Sequence, residues 1–372
     1  MPDNPRDDAV PDRLLRARAQ AIGGGVRLGS AAAVVERVFA VQAQDATAAE
    51  LGVRARSRGL TAEDVRRAYE DDRSILRGWF MRGTLHTIPG SDARWVLRLL
   101  GPRVIAATAS RYRQLGLDDD LRERADRHLA RALSAHGPLT RAELAEHLAK
   151  LGVDPAGQAP YHLIRHATLS GLACHGPRRA GETTYVLLDD WLPERGGEQP
   201  SPQDAAAELA RRYLRAYAPA GVADFATWSG LPVTAARRAW AQQAGLRVRP
   251  DGSAVLDEAA GEVPGADAAD VRLLPAYDDY LTGYRSRDAV VDTAYQQRVF
   301  PGGGVIRPAV AVDGLAVGTW ARHGARGVRV DAFAALPPEV QAGIEAEAAD
   351  VTRFLRTLPP AALAVGRDPA AS

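Results

Sequence analysis

Three stretches of this chain open a helix in the same manner at intervals of about 80 residues, and that spacing limits the fold more than any other feature. GLTAEDVRRAY at residues 59–69 parallels PLTRAELAEHL at 138–148, and APAGVADFATWSGL at 218–231 is a third version. In the first two, Thr61 and Thr140 are followed three residues on by an acid, Asp64 and Glu143. A hydroxyl that accepts a first-turn N–H while the acid reaches back to the threonine N–H is a capping box, so each stretch predicts a helix start.

The segments after these starts are also similar. SILRGWFMRGTLHTI at 74–88 alternates apolar and polar residues and predicts two strands around a turn at Met81 to Gly83. After the second start, YHLIRHATLSGLACHG predicts a helix ending near Gly171, and TTYVLL at 183–188 predicts a strand. The third version carries helices near Gln203 to Tyr217, Val222 to Ser229 and Val233 to Gln243. Helix, helix, helix, hairpin is the winged-helix order. The expected class is therefore α+β, mainly helical, with about three tandem winged-helix motifs: 11–115, 116–195 and 201–250. Residues 1–10 are expected to be disordered, and PERGGEQPSP at 193–202 reads as a linker.

Past about residue 250 the texture changes. VRLLPAYDDYLTGY (271–284) and IRPAVAVDGLAVGTWARH (306–323) alternate in the strand manner, and Asp313-Gly314 is a hairpin signal. Residues 251–372 are thus expected to form a β-rich, barrel-like unit closed by an amphipathic helix from Pro337.

Composition excludes several classes. No run of about 18 apolar residues occurs, and MPDNPRDDAV lacks the basic-then-apolar order of an export signal, so a cytoplasmic protein without membrane attachment is expected. A single cysteine, Cys174, rules out an intrachain disulfide and any multi-cysteine zinc site, and its expected state is a buried, inert thiol. The net charge of +1 argues neither for nor against nucleic acid. Lys150 is the only lysine among 47 basic residues; with abundant Ala, Gly and Pro this reflects GC-rich coding, so arginine richness by itself carries no functional weight.

Common catalytic signatures are missing. GGG at 23–25 and 302–304 lacks both the P-loop lysine and the Rossmann spacing and reads as turns. Asp118 to Asp120 lacks the spaced ligands of an EF-hand and reads as a helix start. His162 and His166 share a helix face, and no HExxH occurs among the eight histidines, so neither a catalytic metal nor a cofactor is expected. The stretch that remains is FAVQAQDATAAE at 39–50. Val34, Val35, Val38 and Val41 define a helix face that stops at Gln42, and Asp45 can cap a second helix from Ala46, which puts Gln42 and Gln44 at a junction. There the two amides either satisfy backbone groups or converge on one ligand, and local sequence leaves both readings open.

Four blocks in order carry a resemblance. Gln42-Ala43-Gln44, then Arg82-Gly83-Thr84-Leu85-His86 with Trp95, then Leu273 through Leu281 (LLPAYDDYL), then Val312-Asp313-Gly314 followed by Gly318-Thr319-Trp320 together resemble the AlkZ/YcaQ-type winged-helix DNA glycosylases, from about residue 10 to 357. The resemblance implies a concave DNA-binding surface and excision of N7-alkylated purines, in some members with unhooking of interstrand crosslinks in DNA repair or self-resistance. It also implies catalysis by Gln42 and Gln44, because the AlkZ-like branch carries Gln-x-Gln where the other carries Gln-x-Asp; Asp45 stands one position too late for that aspartate. By position, Arg82, Thr84 and His86 on the hairpin are the expected DNA contacts, with a core histidine the other reading of His86, and Asp278 is expected to hold an arginine such as Arg285.

Chemistry explains why neutral amides suffice. An N7-alkylated purine is already cationic and leaves readily, and the sugar becomes oxocarbenium-like, so the enzyme need supply only a placed water and dipoles aimed at the developing charge. The expected partner is double-stranded DNA bearing such adducts, bound by a monomer. Two rivals are a winged-helix transcriptional regulator, which usually needs a two-fold dimer, and a non-catalytic damage-binding protein.

Overall fold

The structure, a computed structural model, describes residues 9–192, 199–257, 269–323 and 327–356. The repeated helix starts are capped as their residue types require. Thr61 N–H donates to Asp64 Oδ2 at 2.9 Å while Asp64 N–H donates to Thr61 Oγ1 at 3.2 Å. Thr140 and Glu143 make the same reciprocal pair at 2.7 and 3.3 Å. In the third version glycine replaces threonine, and only the backward bond survives: Gly221 N–H donates to Asp224 Oδ2 at 2.9 Å. Each such cap contributes on the order of 1 kcal/mol.

The chain opens with α1 (Ala9–Ala19), α2 (Ala31–Val38), the short strand β1 (Val41–Gln42), α3 (Ala46–Arg56) and α4 (Ala62–Glu70). A second group comprises β2 (Ile75–Trp79), β3 (Leu85–Pro89), α5 (Ala93–Ala107), α6 (Ala109–Gln114), α7 (Asp119–His136), β4 (Leu139–Thr140), α8 (Arg141–Ala149), α9 (Ala159–Leu169), β5 (Ala173–Arg179), β6 (Glu182–Leu187) and α10 (Leu188–Trp191). The third group is α11 (Ala205–Tyr217), α12 (Val222–Ser229), α13 (Val233–Ala241), β7 (Leu246–Val248), β8 (Ala254–Leu256), β9 (Val271–Leu274), α14 (Asp279–Thr282), α15 (Gln296–Val299), β10 (Ala309–Val312), β11 (Leu315–Arg322), β12 (Val328–Ala332) and α16 (Pro338–Arg356). Chain contacts divide this into two units: residues up to Val65 with those from Ala206 onward, and residues 66–205.

In the second unit, β2 and β3 pair antiparallel from Ile75↔Pro89 to Trp79↔Leu85 around the turn at Met81–Gly83. Farther along, β4, β6 and β5 form a three-stranded sheet in that order, beside α7, α8 and α9. Leu129, Leu133, Leu144, Leu148, Leu163 and Ile164 are buried together in the core of this unit.

In the first unit, α11, α12 and α13 bury an aromatic cluster of Tyr213, Phe225, Trp228 and Trp240 beside the β7–β8 hairpin. In the β-rich part, β8 pairs back with β7 and the strands from β9 onward form one antiparallel sheet in the order β12-β11-β10-β9. The expected barrel does not form among the described residues: the sheet stays open. The reason lies at its β9 edge, where side chains take the place of a further strand. Leu273 N–H donates to Glu347 Oε2 and Leu273 C=O accepts from Arg54 Nη2, both at 3.0 Å, so α16 and α3 cover an edge that would otherwise seek pairing. Asp313-Gly314 makes the β10–β11 hairpin with φ of 48° and 79°; a Cβ on Gly314 would lie 2.4 Å from the Tyr280 hydroxyl.

Three further expectations are corrected. Of 271–284 only Val271–Leu274 is a strand: Pro275 has no N–H for the ladder, Tyr277 sits at φ 60°, and Asp278 caps α14. Asp278 pairs with Arg56 rather than Arg285, whose backbone N–H instead donates to Asp224. Helix α1 begins at Ala9, inside the stretch expected to be disordered; residues 1–8, and 193–198 of the expected linker, lie outside the described residues.

Candidate active site

Helix α2 starts at Ser30, whose Oγ accepts the Ala33 N–H at 3.1 Å, and buries Val34, Val35 and Val38 before the chain turns extended. Helix α3 starts after Asp45, whose Oδ1 accepts the Ala48 N–H at 2.8 Å. That bond commits Asp45 to capping, so it is no substitute for the carboxylate of a Gln-x-Asp motif. Between the two helices the chain runs as the short strand Val41–Gln42 before it bends at Gln44 and Asp45, and residues two apart along such a segment can share a side. Gln42 and Gln44, both half-buried, accordingly meet: Gln42 Nε2 donates to Gln44 Oε1 at 2.9 Å. With that bond made, Gln42 retains its Oε1 as an acceptor and Gln44 its NH2 as a donor, the complement needed to hold a water or a sugar oxygen.

The backbone of Gln42 is held from behind. Its N–H lies 3.1 and 3.0 Å from the two carboxylate oxygens of Asp279, a side chain only 3% exposed. The neighbouring Asp278, equally buried, receives the Arg56 guanidinium at 2.7 and 2.8 Å. Arg56 also donates to the Gly52 carbonyl and to Gln20 Oε1, each at 3.0 Å. Burial works against the Arg56 charge, yet the pull of Asp278, its hydrogen bond and the field of Asp279 outweigh it, so the guanidinium pKa is raised. Sequence reasoning missed both Asp279 and Arg56 here. The available signal was the adjacent acid pair Asp278-Asp279 in an otherwise apolar block.

The hairpin residues lie in the second unit. Arg82 is exposed at the apex of the turn, with φ 57°. Gly83, at φ 69°, has no room for a side chain: a Cβ would stand 2.7 Å from Val104 and 2.8 Å from the Arg165 guanidinium, which donates to the Gly83 carbonyl at 3.0 Å. Thr84 is half-buried and its Oγ1 donates to the Met81 carbonyl at 3.1 Å. His86 is not a surface residue. It is 1% exposed, its Nδ1–H donates to the Thr84 carbonyl at 3.0 Å, and burial reinforced by the nearby Arg82 charge pushes its pKa down to about 3. The ring is therefore neutral at physiological pH.

Elsewhere the residues singled out in the sequence have structural roles. Cys174 is buried and burial raises its pKa, His166 sits 3.1 Å from Asp126, and Asp118 caps α7. Among the described residues no group of three or more His, Cys, Asp or Glu side chains could hold a metal ion, and no helix is long and apolar enough to cross a membrane.

Residues 35–354 match the DNA glycosylase AlkZ-like family. An interstrand DNA cross-link repair glycosylase of Streptomyces sahachiroi is 31% identical over 305 residues, 78% of this chain and 82% of that protein. The structure of the Streptomyces sahachiroi DNA glycosylase AlkZ superposes with a TM-score of 0.80 at 28% identity, covering 93% of this chain and 96% of that one.

Proposed function

Because the chain belongs to the AlkZ-like DNA glycosylase family, and so to the enzymes that hydrolyse N-glycosyl bonds in DNA, we propose that Gln42 and Gln44 hold the attacking water at C1′ of a nucleotide whose purine is alkylated at N7. The observation that carries this reading is the 2.9 Å amide-to-amide bond at a helix junction, with Asp45 turned to capping. Gln42 Oε1 accepts a hydrogen bond from the water, orients its lone pair and directs partial negative charge toward the oxocarbenium-like sugar, while the Gln44 NH2 donates to a sugar or phosphate oxygen. Neither amide removes a proton strongly, and none needs to be removed early, since a sugar cation reacts with nearly neutral water. The same neutrality confines the enzyme to labile adducts: an unmodified base is a poor leaving group, and no side chain of the pair can protonate it.

The relative from Streptomyces sahachiroi is named for interstrand cross-link repair, and unhooking of such crosslinks, in DNA repair or in self-resistance to a genotoxic compound, is the proposed role of this chain as well. Exposed Arg82 contacts the phosphate backbone or the minor groove, with Thr84 beside it. His86, buried and neutral, acts on DNA only indirectly, by holding the Thr84 carbonyl and with it the shape of the strand. Both amides come from one chain, so a monomer can carry the whole pair.

The test is abasic-site formation by purified protein on duplex containing N7-alkylguanine, against the same duplex undamaged. Excision on the first only, lost by about 10²-fold or more in Gln42→Ala and Gln44→Ala with duplex binding retained, is the expected result. Binding without any abasic product would instead identify a regulator or a damage sensor. Full activity of the double variant would remove the amides from the mechanism.

A further inference from the structure

We propose that Asp279 is a positioning residue for the reaction: it sets the angle of the Gln42–Gln44 pair through the Gln42 backbone, with the Asp278–Arg56 ion pair as its footing. The inference rests on the reading that the two amides place the water. Both oxygens of the Asp279 carboxylate lie within bonding distance of the Gln42 N–H, at 3.1 and 3.0 Å, and this carboxylate is 3% exposed. Burying a carboxylate is costly, and a peptide N–H at this point would be satisfied by any neutral carbonyl. Charge strengthens the contact, and two oxygens straddling one N–H restrain the peptide plane of Gln42 and hence the direction of its Cα–Cβ bond.

The rest of the arrangement secures Asp279 itself. Tyr277, at φ 60°, turns the chain so that Asp278 and Asp279 fall at the start of α14. Asp278 Oδ1 accepts the Tyr280 N–H at 3.0 Å and caps that helix, while both its oxygens grip Arg56 at the end of α3. Helix α3 has its N-cap, Asp45, directly after Gln44. Thus α14 holds the catalytic segment twice, at Gln42 by Asp279 and through α3 by Asp278, and the glutamines lie between the two anchors. Uncharged amides gain little from long-range attraction, so their effect on a water depends on placement, and a shift of about 1 Å is enough to cost about 10²-fold in rate.

The experiment compares Asp279→Ala, Asp279→Asn, Gln42→Ala and the Gln42→Ala/Asp279→Ala pair in single-turnover excision of N7-methylguanine from duplex. Duplex affinity and urea unfolding are measured alongside. Asp279→Ala is expected to slow excision on the order of 10²-fold with Kd changed less than about threefold. Asp279→Asn, which keeps one acceptor oxygen but neither the second nor the charge, should recover part of that rate and also serves if the alanine variant fails to fold. In the Gln42→Ala background, removal of Asp279 should add little, because the residue acts through Gln42. Wild-type excision by Asp279→Ala, an asparagine variant as slow as alanine, or additive losses in the pair would each overturn the assignment. If Gln42→Ala itself excises normally, the amide mechanism has failed rather than the positioning role.

Discussion

The buried pair Arg56–Asp278 offers a quantitative test of how this frame is held. Arg56 is 0% exposed and donates to four acceptors: two oxygens of Asp278, the Gly52 carbonyl and Gln20 Oε1. Arg56→Met leaves the Asp278 carboxylate buried with no cation, a change that typically costs about 3–5 kcal/mol. The loss should lie near the lower end, about 3 kcal/mol, because Asp278 retains the Tyr280 N–H of the α14 cap. Adding Asp278→Asn removes the stranded charge while keeping that cap, so the double variant should be more stable than Arg56→Met alone. Hydrogen exchange of α3 amides reads the opening of this unit directly. At about 1.4 kcal/mol per factor of ten, Arg56→Met should exchange on the order of 10²-fold faster than wild type, with the double variant returning toward it. Exchange in Arg56→Met within about threefold of wild type, or a double variant that is worse than the single, would show that the ion pair is not what ties α3 to α14.

Three other outcomes are expected. His86 has its pKa lowered from 6.5 to about 3, so its contribution to stability is fully present above pH 6.5 and is lost as pH falls toward 3; His86→Leu should flatten the pH dependence of urea unfolding in that window by up to about 1.4 kcal/mol per pH unit, while His175, buried and shifted the same way, keeps its own share. Arg82→Glu should weaken duplex binding and lower the slope of log K against log salt by about 0.9 for one lost phosphate contact, and an unchanged slope would take Arg82 off the DNA. Cys174, buried with a raised pKa, should react with a thiol reagent only after unfolding, so modification of the native protein at the unfolded rate would contradict its placement.

Much of what local sequence can encode was legible. The capping residues Thr61, Thr140 and Asp45, the turn at Met81–Gly83 and the Asp313-Gly314 hairpin are all decided within a few residues, by hydrogen bonds and φ preferences that the residue types themselves impose. The junction that holds Gln42 and Gln44 was legible in the same way, but that the two amides bond to each other rather than to backbone groups was decided by the structure. His86 shows where such reading stops. Alternation along β3 places it on a face with Thr84, but alternation does not say which face is covered, and the ring is buried and neutral.

Sequence alone thus determined where helices begin, where strands turn and that Gln42 and Gln44 fall at a junction between two helices. Only the tertiary structure decided what stands behind them: Arg56 finds Asp278 across 222 residues, Asp279 reaches Gln42 across 237, and the β9 edge is covered by Arg54 and Glu347 instead of closing into a barrel. The physical reason is range. Caps and turns are settled by neighbours along the chain, whereas a buried charge is stable only beside the partner that folding delivers, and no periodicity in the sequence names that partner.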